Sequence, residues 1–301
     1  HASVGTLHVR PVLNMKSDKD IQNMRSISEE AFEMVKDYKG SHSGEHGDGI
    51  VRSEFHEMMF GKKITNAFEE IKDTFDSKNL LNPGKIVRPF KSNDRSLMRY
   101  KSGYQTENID THYDWSNWGQ FSDAVEMCNN NGACRKLDSG VMCPSYRVTK
   151  EEKDLVRGRA NTLRLALSNQ LPEGSFASKE MYETMELCVS CKACQRECPM
   201  SVDMAKMKSE FLSHYYKKFS MRIKDRVISD MPRLIWLLKI VAPIFNKVKN
   251  LPLISTIVER FGFATARSMP EVQNQNALRE IYNSQTVSEN KVILFADTFN
   301  I

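Results

Sequence analysis

Residues 188–199 read Cys188-Val-Ser-Cys191-Lys-Ala-Cys194-Gln-Arg-Glu-Cys198-Pro199. The pattern is Cys-x2-Cys-x2-Cys-x3-Cys-Pro. Three thiolates three residues apart in a compact turn converge on one cuboidal iron–sulfur cluster. The fourth, followed by proline, points away and serves a second cluster. Cys-x2-Cys alone also suits tetrahedral zinc, but four cysteines at this spacing closed by proline are not a zinc-ribbon pattern.

A second cluster needs a second motif, and one lies upstream. Cys128-Asn-Asn-Asn131-Gly-Ala-Cys134 aligns with Cys188 to Cys194, and Cys143-Pro144 matches Cys198-Pro199. Crossing the fourth ligands gives one cluster Cys188, Cys191, Cys194 and Cys143. The other receives Cys128, Cys134 and Cys198, with Asn131 where the remaining cysteine would stand. Three outcomes stay open for that site: a [3Fe–4S] cluster, a [4Fe–4S] cluster with a non-thiolate ligand, or structural cysteines without a cluster. The seven cysteines of the chain are all used, and all lie between 128 and 198. Such clustering points to metal ligation rather than to disulfides stapling distant loops. The helices between the motifs make this region a mostly α-helical, ferredoxin-like two-cluster domain that passes single electrons.

The remaining composition excludes several classes. With 301 residues, 40% hydrophobic and 27% charged, the chain is neither disordered nor a membrane bundle. No run of about 18 uncharged apolar residues exists to span a bilayer. The net charge of +5 is too mild to argue for nucleic acid. It is unevenly spread: residues 217–267 hold eleven Lys and Arg against three acidic residues, so that segment carries +8 and the rest −3. Within it, Leu234 to Phe245 is apolar and contains Trp236. A basic helix of this kind suits an anionic membrane surface, or a core position against another domain with its basic face solvated.

Outside the cysteine region the periodicities predict both element types. Residues 1–11 alternate as a strand, 16–39 form an amphipathic helix, and 40–49 are a glycine-rich loop. A second helix runs over 53–78 and stops at Asn82-Pro83-Gly84-Lys85. Helices are also expected over 151–168, 179–187 and 204–219. Apolar stretches near 234–245 and 253–261 read as broken by Pro232, Pro243 and Pro252. Residues 291–301 read as a buried strand without a following sheet. The expected organisation is an α+β fragment over 1–90, a linker over 91–121, the cluster domain over 122–225, a basic helical segment over 226–290 and the start of a cut domain over 291–301. The opening on His1 rather than Met, with no leader pattern, fits a piece of a longer cytoplasmic protein, at most peripheral at the inner face of the membrane.

His1 and His8 form a second constellation with Glu45-His46, which sits in Ser43-Gly-Glu-His-Gly-Asp-Gly49. Two imidazoles and a carboxylate suit a divalent metal such as zinc or manganese. On a strand His1 and His8 point to opposite faces, so a bulge or turn at Gly5 is required. The plain alternative is a surface histidine pair beside an ordinary loop.

His-x6-His, then Ser-Gly-Glu-His-Gly-Asp-Gly, then Asn-Pro-Gly-Lys resembles the C-terminal end of the FAD-linked oxidase family, which includes D-lactate, glycolate and D-2-hydroxyglutarate oxidoreductases. The order that follows (Cys-Asn-x-x-Gly-x-Cys, Cys-Pro-Ser-Tyr, Arg-Gly-Arg-Ala, then the four-cysteine motif) is similar to the large bacterial flavin and iron–sulfur 2-hydroxyglutarate dehydrogenases. The resemblance implies that 1–90 is the end of a flavin-oxidase cap domain. It implies His1, His8 and Glu45 as divalent metal ligands and His46 as the base that takes the substrate hydroxyl proton. It places Arg10 at the substrate and Asn82 and Lys85 on the flavin side. Relatives often carry Gly-Asp-Gly-Asn between the histidines. Here the spacer is Ala-Ser-Val-Gly-Thr-Leu, with the spacing kept.

The activity so implied is FAD-dependent oxidation of a D-2-hydroxy acid, with D-2-hydroxyglutarate first and D-lactate or glycolate as alternatives. The electrons leave through a [4Fe–4S] cluster, and through the second cluster where present, to a quinone or an electron-transfer protein. A non-catalytic iron–sulfur subunit would account for Cys128 to Cys198 but not for the histidine motifs.

Overall fold

The computed structural model describes residues 4–6, 8–266, 271–272 and 283. His1 and the expected strand at 291–301 lie outside these. The chain divides into two compact units. One comprises the described residues through Asn108 with Leu167–Leu171. The other comprises Ile109–Ala166 and the described residues from Pro172 onward.

The first unit is built on α1 (Asp18–Asp37). The Ser17 hydroxyl accepts from the Asp20 amide at its N-terminus, and Asp18 and Asp20 complement the positive end of the helix dipole. The expected helix over 53–78 is instead several pieces: α2 (Gly49–Arg52), a 3-10 turn at Ser53–Phe55, α3 (His56–Phe60) and α4 (Lys62–Phe75). Gly61, at φ 79°, makes the sharpest break, a left-handed conformation open mainly to glycine. The apolar period runs through all the pieces, which is why it reads as one helix. Rings from these pieces form a small aromatic core, with Phe32 against Phe55 at 4.4 Å and Phe60 against Phe68 at 6.3 Å. At the end of α4, the Asp76 carboxylate takes Lys72 and the amides of Leu80 and Leu81. These partners hold its pKa down at about 2. Gly84 (φ 74°) is pressed so close to the Phe90 ring that any side chain would collide with it.

Among the described residues there is no strand, so the α+β expectation is not met. The segment before α1 is coil, with Val9 and Val12 exposed. Alternation marks a strand only where a neighbour pairs its backbone, and none is described beside it.

The second unit is helical, as expected for the cluster region: α5 (Phe121–Glu126), α6 (Pro144–Thr149), α7 (Val156–Leu167), α8 (Lys179–Glu186), α9 (Ala193–Glu197) and α10 (Met204–Lys218). Leu155, Leu163, Met185 and Phe211 are its buried centre. The segment read as a linker contributes to this core. Trp115 is buried, and the fully buried Glu210 of α10 accepts from the amides of His112 and Tyr113 and from Trp115 Nε1, at 2.9–3.0 Å. Burial raises the Glu210 pKa, but these donors and nearby His214 outweigh it, so the group is held below its ordinary value.

Two further helices follow, α11 (Ile223–Val248) and α12 (Pro252–Arg260). Pro232 and Pro243 lie inside α11 and do not break it. Each removes one backbone donor, and the turns on either side carry the helix through. Pro252 sits at the first turn of α12, where a missing amide hydrogen costs nothing.

The first turn of α7 lies directly on the 3-10 turn Glu152–Asp154. A methyl group on Gly158 would strike the Glu152 carbonyl and the Lys153 backbone. Gly158→Ala is therefore expected to destabilise the second unit by about 1–3 kcal/mol, the usual cost of overpacking. A thermal unfolding midpoint equal to that of the unaltered chain would contradict this packing.

Candidate functional site

Each cysteine is delivered by the end of a short helix or a tight loop. Cys143 immediately precedes α6, Cys188 follows α8 by one residue, and Cys194 lies in α9. Cys143, Cys188, Cys191 and Cys194 line one small pocket, together with Met142, Arg159 and Met204. All seven thiols are free. Cys128, Cys134, Cys143 and Cys194 are buried, and Cys191 is exposed.

Backbone amides are aimed at these sulfurs. Val156 N–H donates to Cys143 and Arg157 N–H to Cys134, both from the first turn of α7. Met204 and Ala205 donate to Cys194 from the first turn of α10. Helix N-termini present unpaired donors and a partial positive charge, an environment suited to thiolate sulfur. Without a metal, burial pushes the Cys143 thiol up to about 12 and raises Cys134 and Cys194 as well. These groups are neutral thiols until a metal compensates the thiolate charge. Two basic side chains that the spacing of the cysteines does not reveal stand beside them. Arg159 is buried against the cavity, donating to the carbonyls of Asp154 and Thr184. Lys208 donates to the Cys188 carbonyl at 2.6 Å, and burial lowers its pKa. Four sulfurs around one cavity, amide donors and nearby positive charge fit an iron–sulfur cluster.

The two motifs share a backbone signature. Asn130 and Gly132 have φ of 64° and 78°, and Ser190 and Lys192, at the equivalent positions, have 53° and 60°. The Asn131 side chain is occupied within its own loop: Oδ1 accepts from Ala133 N at 2.8 Å and Nδ2 donates to Asn129. Glu197 ties the two fourth-ligand loops. It neighbours Cys198 and accepts from the amides of Val141 and Met142, just before Cys143, and it pairs with Lys136. The Val141 amide, with Lys136, holds the Glu197 pKa down at about 2.

In the first unit, Glu45 Oε1 lies 3.2 Å from His8 Nε2 and 3.7 Å from His46 Nε2. Glu45 is largely covered, at 17% exposure, whereas His46 is 61% exposed. Arg10 is exposed. Asn82 and Lys85 line an open concavity with Gly47, Asp48 and Gly49, walled by Phe68, Ile71 and Phe75. The turn carrying them is strained, with Asn82 at φ 48° and Ile86, directly after Lys85, at 63°. A further group, His42, Asp48 and His56, comes together inside the same unit without any signal in the spacing, because His56 falls on what reads as an uninterrupted helix.

On α11, Leu237, Ile240, Val241 and Ile244 are exposed, and Ala242 is buried. Among the described residues no helix is long and apolar enough to cross a membrane.

Two segments of the chain resemble known protein domains. Residues 1–86 match the C-terminal domain of FAD linked oxidases, and residues 124–202 match the 4Fe-4S dicluster domain. The D-2-hydroxyglutarate dehydrogenase of Pseudomonas putida is 29% identical over 99% of this chain and 34% of its own length. That of Haemophilus influenzae is 29% identical over 96% of the chain and 31% of its length. The glycolate oxidase subunit GlcD of Bacillus subtilis is 31% identical over 29% of the chain and 18% of its own length. The chain thus spans about a third of the length of the D-2-hydroxyglutarate dehydrogenases it matches. No solved structure matches it significantly. The chain thus joins a segment similar to the C-terminal domain of FAD linked oxidases to one similar to the 4Fe-4S dicluster domain.

Proposed function

We propose that this chain supplies the substrate base and the electron relay of a flavin- and iron–sulfur-dependent dehydrogenase that oxidises a D-2-hydroxy acid, foremost D-2-hydroxyglutarate, to the 2-oxo acid. The observation that carries this reading is the gathering of His8 and His46 about one Glu45 oxygen in a chain that also directs four cysteines into one cavity. The names of the relatives support the substrate.

His8 and Glu45, with His1, would hold a divalent ion such as zinc or manganese, which supplies Lewis-acid polarisation of the substrate hydroxyl. His46 takes the hydroxyl proton, since it is the group of this set with open access and an imidazole suited to accept a proton near neutral pH. Glu45 orients the His46 ring from its covered side. Arg10 receives the substrate carboxylate, and Asn82 and Lys85 face the flavin. In the flavin-loaded holoprotein, His46→Ala should lower kcat for 2-hydroxy-acid-dependent dye reduction by about 10²–10⁴-fold. An unchanged kcat overturns the base assignment. A panel of D- and L-2-hydroxy acids identifies the substrate, and faster flavin bleaching by D-lactate or glycolate would displace D-2-hydroxyglutarate.

Bound iron–sulfur clusters supply one-electron transfer, held by Cys143, Cys188, Cys191 and Cys194 at one site and by Cys128, Cys134 and Cys198 at the other. Val156, Met204 and Ala205 donate their amides to the first site, and Arg159 balances its charge. The crossed assignment predicts that Cys143→Ser removes the same paramagnetic signal as Cys191→Ser and leaves the signal lost in Cys198→Ser. Pairing of the Cys143→Ser effect with Cys198→Ser instead would uncross the ligands.

The electron acceptor is a quinone or an electron-transfer protein. The exposed aliphatic stripe of α11, set in the +8 segment, supports peripheral contact with an anionic membrane face. The chain should co-sediment with phosphatidylglycerol-containing vesicles at low salt and be released at high salt. No binding at low salt would assign the stripe to protein packing.

A further inference from the structure

His42, Asp48 and His56 place two imidazole nitrogens and a carboxylate oxygen within 4.8 Å of one another. His56 Nε2 is 2.8 Å from Asp48 Oδ2, and His42 Nε2 is 3.6 Å from Asp48 Oδ1. The two imidazoles are almost fully enclosed, at 1% and 4% exposure. Both ring nitrogens of His42, and Asp48 Oδ1, have no hydrogen-bond partner among the described residues.

The proton count at this cluster does not close. His56 Nδ1 lies 3.3 Å from the Ile86 carbonyl, which can only accept, so that contact is made by the tautomer with its proton on Nδ1. That leaves a lone pair on Nε2 of a neutral ring, facing a carboxylate oxygen at hydrogen-bond distance. Two lone pairs there repel unless a cation lies between them. A second proton on His56 would serve that contact, but would leave the His42 nitrogens and Asp48 Oδ1 unsatisfied in an apolar enclosure.

The surroundings are those of a ligand set. Metal-bound histidines commonly donate their other ring N–H to a backbone carbonyl, as His56 does to Ile86. Phe32 and Phe60 stack about His42 at 5.2 and 5.9 Å, and Phe60 and Phe68 about His56 at 5.5 and 6.3 Å. They exclude water and strengthen the attraction of Asp48 for a cation. Arg52, on α2, opposes this with its positive charge near His42. Its guanidinium is turned to the Gly47 carbonyl at 3.2 Å.

We propose that His42, Asp48 and His56 bind a first-row divalent ion, zinc foremost, at a site separate from that of His8 and Glu45. Two imidazoles and one carboxylate are a common three-residue zinc set. The ion ties the glycine-rich loop to α3. His42 stands three residues before Glu45 and Asp48 two residues after His46, so both flanks of the Glu45-His46 tip are held. The binding claim does not depend on the proposed dehydrogenase activity, and its test reads metal rather than turnover.

The full 301-residue chain is stripped with chelator and titrated anaerobically with Co2+, whose visible absorption reports a nitrogen–oxygen site. Bound zinc is counted by elemental analysis after dialysis. The variants are Asp48→Asn and His56→Gln, with Glu45→Gln reporting the other site. Circular dichroism checks that each is folded, and the near-isosteric Asp48→Asn guards against a misfolded His56→Gln. The expected result is loss of one zinc equivalent and about 100-fold weaker Co2+ binding in Asp48→Asn, with that equivalent retained in Glu45→Gln. Equal zinc and Co2+ binding in Asp48→Asn and the unaltered chain overturns the proposal. Loss of the same single equivalent in Glu45→Gln overturns it as well, because the ion would then belong to the His8 and Glu45 set.

Discussion

The second unit depends on one interaction, the donation of helix-terminal amides to buried cysteine sulfur. Val156 and Arg157 at the start of α7, and Met204 and Ala205 at the start of α10, spend their otherwise unpaired N–H groups on Cys143, Cys134 and Cys194. A helix start left bare inside a protein carries a desolvation cost. Sulfur is a weak acceptor as a thiol and a better one as a thiolate, so the termini are fully satisfied when the cysteines are ionised on metal. The helices and the cysteines therefore fix each other. The close seating of α7 requires Gly158, whose missing side chain lets the Glu152–Asp154 turn lie against the helix. The buried carboxylate of Glu210 anchors α10 from the other side through three donors of the 112–115 segment.

Charge explains why this region carries basic residues without being basic overall. A cluster with several thiolates is anionic, and the chain answers it locally. Arg159 is held inside by backbone carbonyls, and Lys208 is drawn to the carbonyl of Cys188 rather than to a carboxylate. Glu197 is a carboxylate close to both fourth-ligand loops, but it is spoken for by two amides and Lys136. The positive excess of the chain sits instead in residues 217–267.

Much of the second unit was legible in the sequence because its chemistry requires fixed spacing. The four-cysteine motif and its imperfect upstream copy follow from ligand number and turn geometry. Helices over 179–186 and 204–218 followed from period. What escaped were features that depend on three dimensions. Arg159 and Lys208 carry no signal in the sequence because no local pattern reports burial. The helix over 53–78 read as continuous because its apolar period survives the break at Gly61. In the first unit, alternation over residues 1–11 suggested a strand, yet alternation is also met in an extended coil with no neighbour to pair it. His42, Asp48 and His56 were invisible for a related reason: fourteen residues separate the outer two, and only the bend through α2 and α3 closes that distance.

The upstream motif shows how a ligand can be lost while its loop is kept. In the downstream copy, Ser190 and Lys192 take left-handed backbone angles that non-glycine residues adopt at a cost. Around Cys188, Cys191 and Cys194 that strain is offset when three thiolates share one metal site. The upstream copy has Asn131 where the middle thiolate would be, yet it keeps the same two left-handed positions. Its means are local. Asn130 and Gly132 are residue types that tolerate the left-handed region best, Asn129 accepts from the Asn131 amide, and Asn131 accepts from Ala133. The run of three asparagines thus replaces a coordination bond with side-chain-to-backbone bonds. Among the described residues no such side-chain-to-backbone bond lies within the downstream loop, where Lys208 donates to the Cys188 carbonyl instead.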